Sequence, residues 1–194
     1  MKKKISTLPA WITMIVIIGL DQLTKSLIRS HLYPYQSIDI WGSFLRFTHL
    51  QNTGAAFSLS LPNDSYNRIF FIATSLLATV LIIYLLHKAF HKIQVWGLGL
   101  VLGGALGNLI DRIIRGGVTD FLDFDIPDMF GMQRFPVFNV ADSGVVVGTI
   151  LLACYALFGE RGPREASHPT DEAQAGAPDV IQTRRGFGYV IENP

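Results

Sequence analysis

The chain has 194 residues, 49% of them hydrophobic and only 16% charged, with a mean hydropathy of +0.35. That is too little charge to coat a soluble globule, for which about 25% is typical, so a membrane class is expected. The net charge of +1 exerts no global pull on nucleic acid, no nucleic-acid motif is present, and the single cysteine, Cys154, excludes an intrachain disulfide.

After a basic start at Lys2, Lys3 and Lys4, Leu8 to Ile28 is the first apolar segment, interrupted by Asp21 and Lys25. A signal peptide would need a small-residue cleavage site after Leu20, but the chain continues Asp-Gln-Leu-Thr-Lys, so a retained helix is expected. Arg29 to Asn67 is a polar and aromatic loop in which Phe44 to Gln51 reads as one or two short strands and Asn52-Thr53-Gly54 as a turn. A loop this long predicts a small folded cap or binding surface.

Ile69 to Leu86 and Ile93 to Ile110 are each eighteen residues without a charge, enough helix to cross most of the hydrocarbon core at about 1.5 Å per residue. Between them lies a short basic connection, His87 to Lys92, whose two histidines read as solvated interface residues. Arg115 to Pro136 is a second long polar loop, and Val137 to Phe158 the last span, where Cys154 reads as a small buried hydrophobe. Residues 159–194 are polar, lack an apolar face and read as a flexible tail, leaving 1–158 as the membrane-embedded domain.

The expected fold is an all-α membrane protein, a four-transmembrane-helix bundle with a small extracytoplasmic β platform. Lys and Arg are densest at the N-terminus, the 87–92 connection and the tail. By the positive-inside rule both termini are then cytoplasmic and both long loops lie outside.

Charge inside such a bundle is costly and needs a reason. Gly99, Gly103 and Gly107 form a small-xxx-small stripe whose next member is Asp111, so close helix packing would aim Asp111 into the bundle. Asn108 and Arg112 share the neighbouring face. Asp21 and Lys25, at i, i+4, read first as an ion pair that neutralises itself. Asn139 and Asp142 have the spacing of a helix cap, and a carboxylate in that first turn is also well placed to stay ionised. The second loop adds Asp120, Asp123, Asp125 and Asp128, each by itself an ordinary turn residue. One of them facing Asp142 would make a carboxylate dyad sharing one proton, able to hydrolyse an amide without a metal or a nucleophilic side chain. Spacing does not choose the partner. No metal-binding, nucleophile-elbow or phosphate-loop motif competes. A transporter or proton channel would spread polar residues through the membrane depth, whereas here they gather at the outer edge; a non-enzymatic scaffold would need no dyad.

Five segments, Asp21–Lys25, Asn52–Phe57, Gly103–Arg112, Gly117–Phe121 and Phe138–Ser143, occur in order on this frame and together resemble the lipoprotein signal peptidase (signal peptidase II) family. The resemblance covers about residues 8–158. It implies a bacterial intramembrane aspartic endopeptidase that needs no cofactor or metal. Its implied substrate is a diacylglyceryl-modified prolipoprotein, cut before the lipidated cysteine, with membrane lipids as surroundings and globomycin-like compounds as inhibitors. It selects Asp120 and Asp142 as the catalytic pair and places Asn52, Asn108, Arg112 and Asn139 along the site. Asp21, Lys25 and Asp111 become structural support, and Asp123, Asp125 and Asp128 revert to loop residues. The implied location is the cytoplasmic (inner) membrane, with the active site near its outer face.

Overall fold

The computed structural model describes residues 5–54, 64–126 and 135–159. Among the described residues, four helices are long and apolar enough to cross a membrane: α1 (Leu8–His31), α2 (Asp64–Lys88), α3 (Lys92–Arg115) and α4 (Val140–Phe158). Each contains its predicted apolar segment, apart from a ragged start to the last. α1, α2 and α3 run a few residues further because polar residues at their ends also extend the helix.

The ends follow local chemistry. Pro9 opens α1, where its missing N–H costs nothing. His91 caps α3: its Nδ1 accepts from Ile93 N, and Gln94 Oε1 accepts from the His91 N–H in return. This histidine, read from the sequence as merely solvated, therefore terminates a helix, and its ring also stacks on Tyr155. Gly116 ends α3 at φ 81°, a left-handed conformation that glycine adopts without strain.

α3 is the hub, packing against α1, α2 and α4, and over half of its span is buried while the other three are mostly exposed. The glycine stripe makes this possible. A methyl group at Gly99 would lie 2.7 Å from the Ala10 backbone, one at Gly103 2.8 Å from Ile17 Cβ, and one at Gly107 2.8 Å from Asp21 Oδ2, so the stripe is the α1 contact face. Gly104 lies against Ala141 and Gly97 against Gly148 of α4. The outward faces carry Ile15, Leu23, Leu77, Val80 and Ile150, as lipid-facing surfaces do. Cys154 belongs to such a surface, a correction to its reading as buried: hydropathy does not separate a lipid-facing position from an interior one.

Beside the bundle sits a three-stranded antiparallel sheet in the order β1 (Ser37–Trp41), β2 (Leu45–Asn52), β3 (Val118–Phe124). β2 falls where a strand was expected, at Phe44 to Gln51, while β1 lies ahead of that stretch and was not expected. The third comes from the second loop, which had read as a polar loop. Register pairs Arg46 with Asp123, Leu50 with Asp120 and Asn52 with Val118, with an irregularity between Phe47 and Leu50 where β2 spends one more residue than β3. Asp123 is accordingly no loose loop residue. It is buried, pairs with Arg46 at 3.2 Å and accepts from Thr48 Oγ1 at 2.6 Å. Asp125 is exposed, as expected; Asp128, residues 55–57 of the second motif and residues 160–194 of the tail lie outside the described residues. Ile28 of α1 and Leu32 just beyond its end pack with Phe121, Phe47 and Val140, docking the sheet onto the helices.

Candidate active site

Backbone alternation on β3 decides which aspartate can reach the bundle. Successive strand side chains point to opposite faces, and Val118 and Asp120 line a cavity of about 970 Å³ while Thr119 lines another. Across that cavity Asp142 stands in the first turn of α4. Asn52, Asn108 and Arg112 line it too, so five of the six residues expected along the site share one cavity. The sixth, Asn139, is fully buried behind them.

Asn139 joins the two carboxylates. Its Nδ2 donates to Asp120 Oδ1 at 2.7 Å, and its Oδ1 accepts from Asp142 N at 2.9 Å. The Asn139 backbone N–H donates to Asp142 Oδ2 at 3.2 Å, completing the capping box that the spacing predicted. Asn52 Nδ2 donates to Asp120 Oδ2 at 3.1 Å and Asn108 Nδ2 to Asp142 Oδ1 at 2.8 Å. Each of the four carboxylate oxygens thus has one fixed donor and keeps a second lone pair for a proton or a water.

Electrostatics separates the two groups. Asp120 is 5% exposed, and burial, reinforced by the Asp142 charge, pushes its pKa up to about 6; the Asn52 and Asn139 hydrogen bonds and the more distant Lys25 partly offset this. Asp142 is only half-buried and sits at the positive end of α4. Below about pH 6 Asp120 therefore keeps a proton. Arg112 lies over the Phe71 ring at 5.4 Å, and its charge interacts most with Asp142 and next with Asp120.

The residues expected as support form a buried cluster beneath. Lys25 Nζ is 2.8 Å from Asp21 Oδ2 and 3.3 Å from Asp111 Oδ2, all three side chains being inaccessible. Asp21 Oδ1 accepts from Ala141 N at 2.9 Å, tying α1 to the start of α4. Asp111 Oδ2 accepts from Thr119 N at 3.0 Å, tying α3 to β3 one residue before Asp120. The i, i+4 pair was legible in the sequence. Its third member, its link through Lys25 Nζ to Asn108 Oδ1 (2.8 Å) and the part played by Arg29, which donates to Thr119 Oγ1 at 3.0 Å, were not. The glycine stripe ending at Asp111 was the one available signal for the first of these.

The cavity has apolar walls from Phe138 and the α4 residues Val145 and Val146. Val146 is also largely exposed.

A sequence profile described as Signal peptidase (SPase) II matches residues 13–158. The chain is 44% identical over 152 residues to a lipoprotein signal peptidase of Francisella tularensis subsp. novicida (strain U112), covering 76% of this chain and 91% of that protein. It is 39% identical over 159 residues to one from Enterococcus faecalis (strain ATCC 700802 / V583), covering 80% and 92%. Among solved structures, one bacterial membrane enzyme determined by the in meso method superposes with a TM-score of 0.72 at 29% identity, covering 85% of this chain and 97% of that one. Another gives 0.71 at 30% identity, covering 82% and 99%.

Proposed function

Because the chain belongs to the signal peptidase II family, which removes signal peptides from lipoproteins, we propose that it does so as an intramembrane aspartic endopeptidase, with Asp120 and Asp142 as its catalytic pair. The observation that carries this reading is the pair of carboxylates on one cavity, joined by Asn139. The reaction is assigned to residues 1–158, in the bacterial inner membrane, with both termini cytoplasmic and the site near the outer face.

The substrate is a prolipoprotein whose cysteine already carries a diacylglyceryl group. Its signal helix enters from the lipid side past Val146, and its acyl chains stay in the bilayer. Asp142, in the first turn of α4, takes a proton from water as the water oxygen attacks the carbonyl carbon before the cysteine. Asp120, holding the shared proton, gives it to the carbonyl oxygen. The tetrahedral diol then collapses: the C–N bond breaks, Asp142 returns its proton to the leaving amine, and Asp120 recovers one from the hydroxyl. Asn52 and Asn108 keep the carboxylates in place through these transfers, and Arg112 holds the local negative charge in check. Globomycin-like inhibitors would occupy the same cavity.

The test is cleavage of a lipidated precursor by purified protein in detergent, with Asp120→Asn and Asp142→Asn made separately. Both variants are expected to lose cleavage while keeping the fold, and the unlipidated precursor is expected to resist the unaltered enzyme. Normal cleavage by either variant removes the dyad from the mechanism.

A further inference from the structure

The sheet has a second face. Where Asp120 and Asn52 look into the catalytic cavity, His49 and Thr119 line a separate one of about 500 Å³, bounded by the C-terminal ends of α1 and α3. That volume suits a small ligand or a headgroup. Its charged walls are Arg29 and Arg115.

These two guanidiniums are incompletely neutralised. Both point toward a single oxygen, Asp111 Oδ1, at 3.7 and 3.9 Å, outside hydrogen-bond reach. The other Asp111 oxygen is already taken by Lys25 and the Thr119 N–H. Among the described residues, three cations in this corner, Lys25, Arg29 and Arg115, pair with two carboxylates, Asp21 and Asp111. Arg29 and Arg115 are also close enough to repel each other. His49 Nδ1 donates to the Leu32 carbonyl at 2.9 Å, which fixes the ring at the cavity wall. Arg115 is 44% exposed at its side chain, so a ligand can reach it.

Position identifies the source of the anion. The cavity lies at the ends of two spanning helices. Tyr33 on its rim is 81% exposed, and Tyr35 close by in the chain is exposed too. Exposed aromatic rings of this kind mark the level of lipid headgroups. Ile114, another wall residue, is 68% exposed and offers an apolar surface for an acyl chain. Arginine forks match phosphate oxygens, and basic pockets between membrane helices bind anionic headgroups.

We propose that this second cavity binds an anionic phosphate ester, the headgroup of a net-negative membrane phospholipid, between Arg29 and Arg115. The ligand supplies the missing countercharge, and it sits against Thr119, the residue next to Asp120 on β3. The site is separate from the proposed peptidase chemistry, so it is tested by binding.

The full-length protein in detergent is titrated with phosphatidylglycerol, with phosphatidylcholine and with inorganic phosphate, and bound adducts are counted by native mass spectrometry alongside the thermal midpoint. Phosphatidylglycerol is expected to bind and raise the midpoint, with phosphatidylcholine weaker. Arg115→Gln is expected to weaken phosphatidylglycerol roughly tenfold or more, the scale of a lost charge-assisted contact, and Arg115→Lys to recover part of it. Equal retention of the two lipids by the unaltered protein overturns the proposal without any variant. So does an Arg115→Gln protein that binds as before. Inorganic phosphate that binds as tightly as phosphatidylglycerol overturns the lipid source. Cleavage of a lipoprotein precursor is a separate readout, so its loss or survival does not bear on this site.

Discussion

Lys25 Nζ donates to Asn108 Oδ1 at 2.8 Å, and this contact fixes which half of the Asn108 amide faces Asp142. An ammonium only donates, so the amide oxygen must turn toward it and the NH2 toward the carboxylate. A buried cation on α1 thereby sets the polarity of a hydrogen bond to Asp142 without a bond to Asp142 itself.

Removing that cation should be felt first as stability. Lys25→Met leaves Asp21 and Asp111 buried with their main partner gone, and losing one partner of a buried pair costs about 3–5 kcal/mol. Thermal unfolding in detergent should show a large fall in the midpoint, accompanied by poor accumulation in membranes. A midpoint within a degree of the parent contradicts the picture of a mutually dependent cluster.

The Asp120 proton gives a pH prediction with a definite sign. Its folded-state pKa of about 6 lies above the ordinary 3.8. The group is therefore protonated below about pH 6 and loses that proton as pH rises through it. If Asp120 supplies the proton to the carbonyl, kcat/KM falls on the alkaline side, about tenfold per pH unit once well past the limb. A bound substrate dries the site further, and burial is the largest cause of the shift, so the limb of kcat should lie at higher pH than that of kcat/KM. Between about pH 4 and 6 the folded protein holds a proton that the unfolded chain has released, so Asp120 makes stability decline as pH rises there. Asp120→Asn should flatten that slope in denaturation profiles.

Asn139→Asp keeps the cap and crowds the pair. An aspartate keeps an acceptor for the Asp142 N–H, so the α4 cap survives. It loses the NH2 that holds Asp120 Oδ1 and puts a third carboxylate at a fully buried position beside the pair. We expect the unfolding midpoint to fall, more steeply as pH rises and the added group ionises, and kcat to drop by tenfold or more, on the scale of a charge-assisted hydrogen bond. A midpoint and a kcat both unchanged from the parent would remove Asn139 from the support of the pair.

Gly104→Ala probes the α3–α4 seam. The added methyl meets the Ala141 carbonyl oxygen well inside contact distance and lies 2.7 Å from Val145 Cγ2. Backbone cannot rotate away, so α4 must shift, at a cost of about 1–3 kcal/mol for overpacking. Ala141 sits between Asn139 and Asp142, so cleavage should fall along with the heat-inactivation midpoint. Gly19→Ala, with open space around it, is the matched control and should change neither.

The bundle was readable in the sequence because a membrane span is a local property: length and hydropathy suffice. The Asn139 cap and the inward aim of Asp111 were readable for the same reason, since both follow from helical spacing. β3 was not, because Val118 to Phe124 carries two aspartates, Asp120 and Asp123, that suggest solvent until β2 and Arg46 are brought alongside from some seventy residues away. The choice of Asp120 over its loop neighbours came from the family resemblance. Its location has a physical basis in strand alternation, which only a formed sheet supplies. The second cavity stayed hidden because Arg29 and Arg115 look like two unrelated helix ends.

The hydrogen bond from Ala141 N to Asp21 Oδ1 bears on when the enzyme comes into being. It spans 120 positions of chain, joining the first helix to be made to the last. A nascent protein with three helices inserted holds Asp21, Lys25 and Asp120 but lacks Asn139, Asp142 and the contact that seats them. On the catalytic pair proposed above, a ribosome-stalled or truncated product ending before α4 would lack one of its two carboxylates, so order of synthesis would delay hydrolysis until the last helix is in place.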